Sequence, residues 1–392
     1  MPFTELTVVD VATLAAAPQI AAFFGDFGAR VIKVEPPGGD PLRRIVEPDG
    51  VALQWKLVNR NKECVTLDLR KPAGRALLER MLSRADVLVS AHSAERLARF
   101  ELEPATLRER FPQLVSVNLT AYGIDGPWAD RRGSGTLAEA AAGLAALTGA
   151  PDGPPGLSPV GLGDTLGVLQ GIIAVLVGLH ARSTSSEGEH LDVAMYEPIL
   201  SLLSGRIAAA SRSGREPGRH GNRFPQMAPR NAYATGDGKW VALTAGTDEL
   251  VRRTFEVLGR PDLTADPRFS TNAARVANAA ALDGILAEWI GARPCAAVVE
   301  AFTDAGVSLC AVDGPLATIE NPHFAARGSL TRIEDPEAGP LTMATPLPRR
   351  TQAPGRVRHL GRSPGADNDA IYGDWLGLGR DQRAALAAEG VI

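Results

Sequence analysis

Only three of the 392 residues are cysteine, Cys64, Cys295 and Cys310. No two of them have the spacing of a metal site or a redox pair. So few thiols, so far apart, point to a reducing compartment, and the expected location is the cytoplasm. Histidine is almost as scarce: the six are scattered, none forms H-x-x-x-H, and no metal ligand set is visible. The chain has no basic run and carries a net charge of -4, which excludes a protein held to nucleic acid by phosphate contacts. Its apolar run at residues 168–179 is too short to cross a bilayer and reads as a buried helix. Met1-Pro2-Phe3-Thr4-Glu5 lacks the basic-then-apolar pattern of a secretion signal. Neither a membrane nor a nucleic acid is therefore an expected partner. The turn Ala12-Thr13-Leu14-Ala15-Ala16-Ala17-Pro18 contains no glycine, so a dinucleotide has no close backbone approach, although Glu35 stands where a ribose-binding acid would. Gly361-Arg362-Ser363-Pro364-Gly365 fits G-x-S-x-G, but Pro364 lacks the N–H that an oxyanion hole needs.

What is present is a globular composition, 45% hydrophobic and 22% charged. Residues 6–11 read as a buried strand, Pro18 opens a helix to about Phe27, and residues 30–35 form a second strand. That βαβ start continues with strands at 64–69, 86–90, 114–119 and 188–195. Helices are expected at 72–83, 96–111, 136–147, 165–182 and 197–211. The fold class is α/β: a large domain built on a Rossmann-like parallel sheet, over residues 1–210. Residues 211–224, rich in Arg, Gly and Pro, read as a linker. A smaller α+β domain covers residues 225–330, and a tail follows that ends in a helix at 381–389.

Asp164 is the residue with chemical promise. It lies in Gly161-Leu162-Gly163-Asp164-Thr165-Leu166-Gly167, where a loop gives way to an apolar helix. An Asp there is ordinarily a helix cap, its carboxylate kept ionised by backbone N–H groups and the positive helix end. The same surroundings suit a carboxylate nucleophile, which must be deprotonated to attack.

Along most of the chain, in order, stand Val8-Val9-Asp10, Pro18, Gly28-Ala29-Arg30-Val31-Ile32-Lys33-Val34-Glu35, Gly39-Asp40, Asn61-Lys62, Thr66-Leu67-Asp68-Leu69 and Ala85-Asp86-Val87-Leu88-Val89. Tyr122-Gly123, Gly163-Asp164 and Gly188-Glu189-His190-Leu191-Asp192-Val193-Ala194-Met195 follow. Together these resemble the class III coenzyme A transferases of the CaiB/BaiF type, the family of formyl-CoA and carnitine-CoA transferases. Residues 221–240 also look like members that handle dicarboxylic acyl groups.

The resemblance implies a CoA-transferase that moves coenzyme A from an acyl-CoA donor to a carboxylic acid acceptor. Asp164 forms first a mixed anhydride and then an aspartyl-CoA thioester. CoA is substrate, and no permanently bound cofactor or metal is expected. Lys62 and Arg99 would face the nucleotide phosphates, Thr13, Leu14 and Ala16 would line the CoA path, and Tyr122 would stand near the thioester. The resemblance also implies an interlocked homodimer in which residues 335–392 return to the large domain. Arg223 and Arg230 are candidates for a second substrate carboxylate, because a guanidinium matches a carboxylate in a two-bond fork. The chain departs from the family at Ala17, where glycine is usual, and at residues 91–95. Two other readings stand beside this one. An α-methylacyl-CoA racemase needs a histidine base where this chain has Ser134. An inactive CoA-binding protein would have no use for Asp164.

Overall fold

The computed structural model describes all 392 residues. Two compact units emerge. The larger comprises Met1–Leu144, Leu157–Ser213 and Ala325–Ile392; the smaller comprises Ala145–Gly156 and Gly214–Phe324.

The larger unit is organised by six parallel strands: β1 (Thr7–Asp10), β2 (Arg30–Glu35), β3 (Glu63–Thr66), β4 (Val87–Ser90), β5 (Val115–Thr120) and β6 (His190–Ala194). Their sequences are β-branched and apolar, as strands covered by helices on both faces require. The spatial order is β3-β2-β1-β4-β5-β6. Val8 pairs with Val31 on one side and Val87 on the other, so β1 and β4 lie side by side where the winding reverses. A crevice outside the carboxyl ends of the strands is the natural binding place in such a sheet. The last segment of the chain belongs to this unit. Tyr372 Oη donates to the Thr66 carbonyl at 2.6 Å, and Asp367 accepts from the Cys64 amide at 2.7 Å.

The helix expected over 165–182 runs longer, from Leu162 to Ser185. Its 24 residues are long and apolar enough to cross a membrane, so the short-length argument does not hold. What places it on the sheet is a line of glycines. A Cβ at Gly171 would collide with Ile20, and one at Gly178 would lie 2.8 Å from Val115. The opposite face is not buried as expected: Leu169, Ile173 and Val177 are 53%, 52% and 56% exposed. The single helix expected at 96–111 is two, Ala94–Arg99 and Pro104–Arg110, broken where Glu101 takes a positive φ and Pro104 restarts the chain. The run at 136–147 likewise divides into Gly135–Ala141 and Leu144–Leu147.

The smaller unit has an antiparallel sheet of β7 (Arg230–Ala234), β8 (Trp240–Thr244) and β9 (Leu309–Ala311) in that order. Tyr233, Val241 and Leu243 point into its core, against Phe255, Leu286 and Phe302. A hairpin the sequence did not suggest, β10 (Leu330–Asp335) and β11 (Gly339–Ala344), sits on the larger unit. Lys56 anchors it through Asp335 at 2.8 Å and Glu337 at 2.9 Å.

Candidate active site

The loops after β1, β4 and β5 and the end of β6 enclose a cavity of about 910 Å³ in the larger unit. Thr13, Leu14, Ala16, Arg99, Tyr122 and Asp164 all line it. These residues lie up to 151 positions apart in the chain (164 − 13). The parallel topology brings them to one edge.

The loop after β1 is held open by buried charge. Asp10 accepts the Ala12 amide at 3.0 Å. Leu14 adopts a left-handed φ of 66°, a costly conformation for a leucine, and its amide donates to Asp40 Oδ1 at 3.1 Å. Lys33 sits beneath, 3.7 Å from Asp10 and 3.5 Å from Asp40, and its ammonium also donates to the Ala12 carbonyl. Leu14 is thereby presented to the cavity by three fully buried side chains. Glu35 accepts both arms of Arg43 at 2.7 Å and does not line the cavity.

Lys62 belongs to this floor, not to the cavity. It is 0% exposed. Its ammonium donates to Asp10 Oδ2 at 2.8 Å, the Pro18 carbonyl at 2.6 Å and Asn59 Oδ1 at 2.9 Å. All three of its donors are used, so no phosphate can reach it. Burial pushes its pKa down to about 8, against the attraction of Asp10. The expectation that Lys62 faces the nucleotide phosphates is therefore corrected.

Asp164 is the third residue of its helix, not its cap; Gly161 stands at the cap. The carboxylate is half-buried and receives a hydrogen bond from the Gly135 amide. Its pKa is raised above the ordinary aspartate value. Burial is the main cause, the Gly135 bond opposes it, and the nearby Glu139 charge adds to it. The sequence reading weighed only the ionising influences; the desolvation outweighs them here. A carboxylate of raised basicity is a better nucleophile, and perturbed acids of this kind mark reactive sites. Glu139, itself 2% exposed, accepts the Gly163 amide at 2.9 Å and so fixes the first turn of the helix. Glycine is required around the acid. A Cβ at Gly135 would lie 2.6 Å from Asp164 Cγ and Oδ2, and one at Gly161 would lie 2.6 Å from Oδ2.

Several lining residues escaped the sequence reading: Arg96, Arg131, Arg132 and the supporting Glu139 and Gly135. The run Arg131-Arg132-Gly133-Ser134-Gly135 was the available signal, two cations beside small residues. Tyr122 is not alone: Trp128 meets it edge-on at 5.3 Å, and Arg131 lies over Trp128 at 4.5 Å. In the divergent loop at 91–95, Ala91, Ser93 and Glu95 face the cavity while His92 turns inward against Phe100. Burial pushes His92 down to about 4, so it is neutral at ordinary pH.

In the smaller unit, Arg223 is committed to Asp283 at 2.6 Å, which also accepts from Asn231 at 2.9 Å and Tyr233 at 2.7 Å. Arg230 lines a cavity of about 590 Å³ on the open face of β7-β8-β9.

A glycine-wrapped carboxylate at the carboxyl edge of a doubly wound sheet defines the class. The chain belongs to CoA-transferase family III, whose model matches residues 3–369. It is a class III CoA-transferase. Among its relatives, the succinyl-CoA–D-citramalate CoA-transferase of Chloroflexus aurantiacus is 34% identical over 394 residues, covering 100% of this chain and 98% of that one. The succinate–glutarate CoA-transferase of Agrobacterium fabrum is 33% identical over 286 residues, 71% of each chain. A solved CAIB/BAIF family protein from Brucella suis superposes with a TM-score of 0.83 at 30% identity, over 95% of this chain and 99% of that one.

Proposed function

We propose that this enzyme transfers CoA from a dicarboxylic acyl-CoA to a carboxylic acid through covalent intermediates on Asp164. The observation that carries the reading is Asp164 itself: half-buried, of raised basicity, hydrogen-bonded by the Gly135 amide and open to the cavity. An Asp164 oxygen attacks the thioester carbonyl carbon, the C–S bond breaks, and a mixed anhydride and CoA thiolate result. The thiolate then attacks the Asp164 carbonyl and expels the donor carboxylate, leaving an aspartyl-CoA thioester. The acceptor carboxylate attacks that thioester, forming a second anhydride and releasing thiolate again. The thiolate takes the acceptor's acyl group and Asp164 returns as a carboxylate. Each step exchanges activated acyl groups of similar energy, so the chemistry draws on no nucleotide hydrolysis. The Gly135 amide is placed to bond the aspartyl oxyanion as it develops. Arg99 supplies a cation for the CoA phosphates, and Thr13, Leu14, Ala16 and Tyr122 form the walls along which CoA lies.

The dicarboxylic preference is supported by relatives whose names specify succinyl, citramalate and glutarate groups. The racemase alternative lacks a base: Ser134 lines the cavity, but a hydroxyl does not abstract an α-proton at neutral pH. Replacing Asp164 by Asn is expected to lower turnover at least about a thousandfold, as loss of a covalent nucleophile does, with the fold intact. A fully active variant ends this reading.

A homodimer in a cytoplasmic setting completes the proposal. All three cysteines are unpaired, as a reducing compartment requires. The exposed row Leu169, Ile173 and Val177 is the apolar face that a second copy of the chain would cover. Sedimentation equilibrium at micromolar concentration is expected to return twice the chain mass; a monomer would remove this part.

A further inference from the structure

A dicarboxylic acyl group bound for attack by Asp164 leaves its second carboxylate in the same cavity, where a guanidinium would pair with it. Four arginines line that cavity: Arg96, Arg99, Arg131 and Arg132. Arg96 and Arg99 stand on the helix that follows β4. Arg131 and Arg132 stand on the loop that leads to Gly135, the residue touching Asp164. Arg131 spreads its guanidinium over the Trp128 ring. Arg132 is exposed and makes no hydrogen bond, ion pair or ring contact. Asp130 lines the cavity two residues earlier, yet no ion pair joins the two.

We propose that Arg132 holds the far carboxylate of the acyl group and sets the enzyme's preference for dicarboxylic over monocarboxylic substrates. This rests on the Asp164 reading and extends it. Arg132 is three residues from Gly135, at most about 10 Å along the chain. Its guanidinium, on a flexible stem, lines the same cavity as Asp164 and extends toward an anion two or three carbons from the reacting carbonyl. Its planar fork meets a carboxylate with two parallel bonds, which a methyl-ended chain cannot engage. The assignment also replaces Arg223, which is already neutralised by Asp283.

The test is isotope exchange, which needs no knowledge of the natural acceptor. The purified full chain is given succinyl-CoA with labelled succinate, or butyryl-CoA with labelled butyrate, and kcat/KM is measured for each. The wild-type enzyme is expected to favour succinyl-CoA. Arg132→Ala should lower the succinyl-to-butyryl ratio by about tenfold, since the far carboxylate then loses its two-bond partner. Arg132→Lys should fall between. Arg99→Ala should raise KM for both esters alike and leave the ratio near the wild-type value. An unchanged ratio in Arg132→Ala, or a uniform loss matching that of Arg99→Ala, overturns the proposal. A wild-type enzyme that prefers butyryl-CoA defeats the dicarboxylic reading itself. Exchange that survives Asp164→Asn defeats the covalent reading separately.

Discussion

Beneath the cavity, charge is paired and dry; around its rim, charge is unpaired and wet. Asp10, Lys33 and Lys62 are each 0% exposed and bonded to one another or to backbone carbonyls. Arg96, Arg99 and Arg132 face the opening without an ion pair. The first group shapes the loop that carries Leu14; the second is free to meet the anionic groups of the substrate, the CoA phosphates at Arg99 and the acyl carboxylate at Arg132. Fixed ions in a low-dielectric floor serve geometry, because their mutual attraction is already spent. Mobile ions on a rim serve recognition, because theirs is not.

Substitutions on the two sides should fail in different ways. The largest effect belongs to the floor. Lys62→Met strands Asp10 without its shortest ion pair and is expected to cost about 3–5 kcal/mol of stability, read as a lowered denaturant midpoint. A Lys62→Met protein of normal stability but weak CoA affinity would return Lys62 to the phosphates. Gly135→Ala comes next. The added Cβ would lie 2.6 Å from the Asp164 carboxylate carbon, so the nucleophile must move. kcat is expected to fall about a hundredfold while KM changes little. An unaffected kcat would mean that the carboxylate need not sit where it does. The smallest effect belongs to the rim. Arg99→Ala should raise KM for every CoA ester about tenfold, the worth of one hydrogen bond between charged groups, with the folding midpoint unchanged. A stability loss as large as that of Lys62→Met would erase the distinction between floor and rim.

Much of this architecture was legible in the sequence. Strands dense in Val and Ile, proline-started helices and their alternation gave the parallel sheet, and Thr13, Leu14, Ala16, Arg99, Tyr122 and Asp164 do meet in one cavity. Lys62 was misread because its partner Asp10 lies 52 residues away, and only the pairing of β1 and β2 with β3 beyond brings them together. The glycines at 167, 171 and 178 were not read as a packing face, since a glycine's small size matters only once the neighbouring sheet is known. Arg131 and Arg132 were hidden among 41 basic residues, and Glu139 within an alanine-rich helix; spacing alone does not say which way such side chains turn. The extra β10-β11 hairpin was missed because its strands are only half-buried and their alternation, Leu341 and Met343 on one side of β11, is too brief to stand out.

The central claim is that the Asp164 carboxylate becomes acylated during turnover. Hydroxylamine added to the enzyme with succinyl-CoA should capture that species as a hydroxamate, and peptide mass spectrometry should place it on Asp164, in wild-type enzyme only and only with the thioester present. Rapid CoA exchange with no hydroxamate on Asp164, or with one on a different side chain, would contradict the account.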